Sequence, residues 1–196
     1  NEDILQAFLR KKRYNSVHKE VVWMKKEVKT VVYDDELRLE AYRFDGVVQP
    51  FPNHFHEYYV IGFMEGGERR LSCKNKEYFL KKGHIVLFNP GDNHACSPIN
   101  GSTLDYRGLN IPKDIMLELA REVTGKAVLP GFAENVIQDE EIACYLCALH
   151  GMIMEGGGEF GKEENLLLLI SLLLQRYGQL FEDCALEYRE EIEKAC

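Results

Sequence analysis

The sequence predicts a mainly β protein with α: an antiparallel β-barrel followed by a helical segment. Three observations carry that expectation. Short alternating apolar runs recur from residue 36 to residue 111, cut by Gly, Pro and Asn turn signals, and strands at such spacing build barrels or sandwiches. After Ile111 the apolar period lengthens to that of a helix. Three histidines, His54, His56 and His94, bracket the densest part of the strand region.

Composition bounds the rest. The chain has 196 residues, 45% hydrophobic and 29% charged, which is ordinary for a globular protein able to bury its own core. The net charge of −8 argues against broad non-specific nucleic-acid binding by this segment. Charge is uneven: residues 1–30 carry +4 and the remaining 166 carry −12. The run Arg10-Lys11-Lys12-Arg13 reads as a solvated arm before it reads as a nucleic-acid patch. Six cysteines lack the density of a disulfide scaffold, and no basic start precedes an apolar block. A reduced, cytoplasmic setting without membrane contact is therefore expected.

Residues 1–30 form an arm, with an amphipathic helix expected over 3–13 on Ile4, Leu5, Phe8 and Leu9. Residues 31–111 are the expected barrel. A strand over 36–44 alternates through Leu37, Leu39 and Ala41 before the Asp45-Gly46 turn. Pro50 and Pro52 force an extended entry into a strand over 55–63. Strands at 69–74, 77–80, 84–89 and 103–111 follow, separated by Glu65-Gly66-Gly67, Lys74-Asn75-Lys76, Lys82-Gly83 and Pro90-Gly91-Asp92.

Residues 112–180 are the helical segment. Pro112 suits a first helical turn and Gly125 a stop, with Ile115, Leu119 and Val123 between them. Asp139 is a good N-cap for a helix carrying Ile142, Leu146, Leu149 and Ile153. A glycine-rich loop leads to a third helix near 162–177, apolar around its circumference. Such a helix must be covered on all sides. Leu166, Leu169, Ile170 and Leu173 are assigned to a homodimer interface on that ground. Residues 181–196 are charged, helical in pattern, and stop without a helix-ending signal, as the linker to a further domain does.

In an extended strand His54 and His56 face the same side, so a curled sheet can gather them with His94. Tyr58 shares their face. Arg43 is expected to anchor a ligand carboxylate or hydroxyl, and Tyr106 to stack on a ring. Cys144-x-x-Cys147 reads as packed small residues of a helix. Gly156-Gly157-Gly158 lacks the lysine of a phosphate loop, and neither a Ser-His-Asp set nor a carboxylate pair can be placed.

The block His54-Phe55-His56 with Gly66-Gly67, then Gly83, Ile85 to Phe88, Pro90-Gly91 and His94, resembles the two motifs of the cupin fold, a double-stranded β-helix or jelly roll. The order of barrel, helices and a charged helical end resembles the sensor domain of AraC-type transcriptional regulators, from about residue 36 onward. That resemblance implies a small-molecule effector in the barrel; from their strand positions, His54, His56, Tyr58, His94, Arg43 and Tyr106 are expected to bind it. It also implies dimerisation, and DNA binding through a helix-turn-helix domain beyond Cys196. No catalytic residue and no cofactor are expected. Metal-binding cupins place a glutamate four or five positions after the second histidine, where this chain has Val60 and Ile61. A divalent metal is not favoured; if bound, His54, His56 and His94 are its ligands. The alternative reading is a metal-dependent cupin enzyme, a dioxygenase or isomerase.

Overall fold

The computed structural model describes residues 27–156 and 161–180. The helix expected at 3–13 and the helical pattern of 181–196 lie outside the described residues. Two antiparallel sheets face each other. The larger has six strands in the order β1 (Val28–Asp34), β2 (Leu39–Val47), β9 (Leu104–Ile111), β4 (Tyr59–Gly66), β7 (Ile85–Phe88) and β11 (Val136–Ile137). The smaller has β3 (Phe51–His54), β8 (His94–Pro98), β5 (Arg69–Cys73) and β6 (Lys76–Leu80). From β2 to β5, and again from β6 to β9, consecutive strands alternate between the sheets, which is the double-stranded β-helix that the cupin-like motifs lead one to expect.

The inner strands of the larger sheet, β2, β9, β4 and β7, carry buried residues on both faces. Side chains alternate along a strand, so β4 sends Tyr59 and Ile61 to one side and Val60 and Met64 to the other. The outer set joins Leu39, Ala41, Ile85, Leu87, Leu109 and Ile111 under the helices. The inner set joins Tyr42, Val86, Phe88, Leu104 and Tyr106 inside the barrel. This double burial explains why Ile85-Val86-Leu87-Phe88 is continuously apolar.

Three helices cover the outer face. Helix α1 (Lys113–Thr124) starts after Pro112 and stops where Gly125 takes φ 74°, a left-handed conformation that glycine adopts at little cost. Helix α2 (Glu140–Glu155) is capped by Asp139, whose carboxylate accepts from the amides of Glu141 and Ile142. Helix α3 (Lys162–Tyr177) packs against α2 and α1. Between α1 and α2 the chain forms β10 (Pro130–Phe132), which pairs with β12 (Gly178–Leu180) just after α3.

Several expectations need correction. The segment 112–180 is not purely helical, since it contains β10, β11 and β12. The expected 30/31 boundary falls inside β1, and β8 was not expected as a strand. Cys144 is exposed rather than packed. Leu166, Leu169, Ile170 and Leu173 are all at most 2% exposed within the single chain. They face the main core with Leu146, Leu149 and Ile115. The reason is that one molecule already supplies neighbours on that side of α3. The outward leucine is Leu168, 47% exposed.

Candidate functional site

Between the sheets lies a cavity of about 460 Å³. Its walls are largely aromatic and aliphatic: Tyr42, Phe44, Phe51, Phe88 and Tyr106 with Val60, Met64, Leu71 and Leu104. One part is polar, where His54, His56, His94, Tyr58, Glu40 and Asn110 meet. Apolar walls with a few convergent polar groups describe a small-molecule site.

Two glycines make room for the aromatic lining. A Cβ at Gly62 would stand 1.7 Å from the Tyr106 hydroxyl, and one at Gly108 would stand 2.3 Å from the Tyr42 ring. Each tyrosine therefore lies over a side-chain-free stretch of the neighbouring strand. Burial pushes the pKa of both hydroxyls up, so they stay protonated and available to donate.

The histidines converge by a route that strand alternation does not describe. His54 ends β3 in the smaller sheet, opposite His94 of β8. The chain then bends across to the larger sheet, and His56 sits in that bend, before β4 begins at Tyr59. The Gly91 amide donates to the His56 carbonyl at 2.8 Å, tying the bend to the Pro90-Gly91 turn. The ring centroids are 4.3 Å apart for His54 and His94, 4.9 Å for His54 and His56, and 5.1 Å for His56 and His94. Phe88 stacks on His94 at 3.9 Å and Tyr58 on His56 at 4.9 Å.

A buried polar knot holds the His94 loop. Asp92 accepts from the backbone and side-chain amides of Asn89 and from the Asn135 amide. Lys74 pairs with its other oxygen at 2.8 Å. Asn89 also bonds both backbone groups of Phe132 on β10. Asn89, Asp92 and Asn135 were not among the sequence candidates. The Asn-Pro-Gly-Asp run was legible as a turn, but the distant partners Phe132 and Asn135 were not.

Burial lowers the pKa of His56 to about 4, with help from the neighbouring His94 and His54 rings. Burial also lowers that of His94, although its backbone hydrogen bond opposes the shift. Both imidazoles are neutral at pH 7.

Of the six residues assigned to ligand binding, the structure brings five to the cavity: His54, His56, Tyr58, His94 and Tyr106. Arg43 is not among them. It lies on the outer face of β2, pairing with Asp45 at 2.9 Å. Its strand neighbours Tyr42 and Phe44 face inward instead. Glu40 was missed; it shares their parity, lines the cavity and accepts from Asn110 at 3.0 Å.

A metal fits part of this arrangement. One ring nitrogen from each of His54, His56 and His94 lies within 4.8 Å of the other two, and neutral imidazoles suit zinc, nickel or iron. Among the described residues no carboxylate joins them. Val60 faces the cavity and Ile61 the helices, while Glu57 points outward to Lys113 at 3.2 Å.

A double-stranded β-helix around an amphipathic hollow, backed by helices, is the frame of a small-molecule-binding barrel. The chain belongs to the AraC-like ligand binding domain family, whose model matches residues 36–174. It is 42% identical over 174 residues to the HTH-type transcriptional regulator YbfI of Bacillus subtilis, covering 88% of this chain and 63% of that protein. The chain thus spans less than two thirds of that relative's length. The fold is similar to that of a ToxT variant in its apo form from Vibrio cholerae, with TM-score 0.51 and 13% identity over 71% of this chain and 54% of that one. An RmlC-like cupin with a double-stranded β-helix fold from Methanocaldococcus jannaschii also matches, with TM-score 0.38 and 20% identity over 45% of this chain and 84% of that one.

Proposed function

We propose that this chain is the effector-sensing and dimerising part of a cytoplasmic transcriptional regulator whose helix-turn-helix domain binds DNA. The observation that carries the reading is the cavity between the sheets, aromatic along its walls and polar at the three imidazoles. An effector must bind two arrangements of the regulator with different affinity, or it shifts neither. The knot at Asp92 supports such a linkage. It joins the His94 loop to β10, and β10 pairs with the strand that leaves α3.

The test is a thermal-shift screen of small ring-bearing compounds on this chain. A compound that enters the cavity raises Tm by mass action. The same compound should leave Tm unchanged in a Leu71→Trp variant, in which the indole fills part of the hollow. An undiminished shift in a folded Leu71→Trp variant would put the binding elsewhere and remove the reading.

Dimerisation is proposed through the outward face of α3. Leu168 is exposed, and Leu172 lies one turn further on and is partly buried. Among the described residues no helix is long and apolar enough to cross a membrane.

A further inference from the structure

Among the described residues the cavity wall carries a single carboxylate, Glu40, and neither Lys nor Arg joins it. Glu40 faces inward because it shares a strand face with Tyr42 and Phe44 on β2. The Asn110 side-chain amide donates to its Oε2 at 3.0 Å. No cation of the described residues pairs with it. A half-buried carboxylate without a counter-ion carries a desolvation cost that a cationic ligand would offset.

The groups around Glu40 are acceptors. His54 Nδ1 lies 2.6 Å from the Pro52 carbonyl, and His94 Nδ1 lies 2.9 Å from the Asp92 carbonyl. A carbonyl oxygen only accepts, so both Nδ1 atoms carry the proton and each Nε2 is left as an acceptor. Asn110 commits its amide to Glu40, which leaves its oxygen as another acceptor. This polar end therefore matches a ligand rich in N–H donors.

The aromatic wall suits a positive charge as well. The rings of Tyr42, Phe44 and Tyr106 lie with centroids 5.3, 5.8 and 6.3 Å apart, and ring faces attract cations. The chain itself shows this, since the Lys29 ammonium stands 5.7 Å from the centroids of Phe44 and of Phe51. Lys29 does not exclude a second cation at Glu40. It lies opposite Phe44 in the β1–β2 register, whereas Glu40 lies opposite Tyr33. Four strand residues, about 13 Å, separate the two positions, which exceeds the screening length of about 8 Å at physiological salt.

We propose that the cavity takes an effector bearing a protonated amine, with the ammonium group paired to Glu40 and an apolar body lying along Tyr42, Phe44 and Tyr106. The proposal names a ligand class for the sensor reading above and rests on it. Glu40 sets the charge selectivity. A carboxylate ligand of the same shape brings a second negative charge beside Glu40 and meets no cation in the wall. A neutral alcohol keeps a hydrogen bond to the acceptors and forgoes the ion pair, and charge-assisted bonds are roughly twice as strong as neutral ones.

Three probes separate these cases. Tryptamine, tryptophol and indole-3-acetate share one ring and are positive, neutral and negative at pH 7. Calorimetric titration into this chain at physiological salt should rank them in that order, with tryptamine tighter than tryptophol by about tenfold or more. Glu40→Gln keeps the side-chain shape and an acceptor for Asn110 while removing the charge. It should bring the ratio of tryptamine to tryptophol affinity close to one. The chain carries a net charge of −8, so a cation can also gather on its surface; Leu71→Trp, which fills part of the hollow, should abolish the tryptamine signal. The inference is overturned by tryptamine binding no tighter than tryptophol, by indole-3-acetate binding as tightly as tryptamine, or by a preference for the amine that survives in Glu40→Gln. Tryptamine binding that persists in a folded Leu71→Trp variant overturns it too. If tryptophol or another neutral ring compound binds in the hollow with no gain from the amine, the sensor reading stands and this inference alone falls. If none of the three binds, this inference falls and the thermal-shift screen decides the sensor reading.

Discussion

Single residues decide the shape of the hollow. Gly62 and Gly108 matter for the space above them, not for their backbone angles, because the Tyr106 and Tyr42 rings occupy where a Cβ would go. Gly62→Ala forces the Tyr106 ring off β4 into the cavity. Overpacking of this kind costs about 1–3 kcal/mol. The expected result is a Tm lower by several degrees and weaker binding of any cavity ligand, read by thermal shift. A Gly62→Ala protein with unchanged Tm would show that the ring moves freely. The Arg43 assignment failed at the same scale. Leu39 and Ala41 form an apolar row, but that row faces the helices, and Arg43 continues it outward.

At the scale of elements, the junction between the β1–β2 turn and α3 depends on charge. Asp34 accepts from the amides of Glu36 and Leu37 and pairs with Lys162 at 2.8 Å. Burial by itself would raise the Asp34 pKa, yet Lys162 and the two amides outweigh it and the net shift is downward. A carboxylate with a lowered folded pKa stabilises above its unfolded value of about 3.9 and loses that contribution as pH falls through the folded value. Asp34→Asn should therefore lower Tm at pH 7 and flatten the acid limb of the Tm–pH curve below about pH 4. Parallel curves for parent and variant would remove Asp34 from the acid sensitivity. The Asp139 cap is a second such joint: besides capping α2 it accepts from Arg176 at 2.8 Å and from Tyr177 at 3.2 Å at the far end of α3.

For the whole molecule, the barrel and the helices share one wall. The larger sheet carries the cavity on one face and the helical core on the other, so a ligand that moves a strand also presses on α2 and α3. His150 of α2 makes this contact direct, since its Nε2 donates to the carbonyl of Tyr42 at 2.9 Å. The proposed dimer is testable at this scale. Leu168→Glu should shift sedimentation from dimer to monomer with little change in Tm, because the side chain lies outside the core. If the chain sediments identically with glutamate at this position, the outward face of α3 is not the contact.

The sequence alone settled the local features. Turn chemistry placed half of the described strands, β2, β4, β5, β6, β7 and β9, the Asp139 cap and Gly125 stop placed helix ends, and the spacing of the motifs singled out His54, His56 and His94. These are signals of near neighbours, and near neighbours are all that a local pattern records. Only the tertiary structure decided which face was which. A sheet covered on both sides carries apolar side chains on both faces, so alternation along β2 cannot tell cavity from helix core. Tyr42, and not Arg43, lines the hollow for that reason. Likewise a helix apolar all round does not announce its partner. The fold itself covered Leu166, Leu169, Ile170 and Leu173, because α1, α2 and the sheet reached them first.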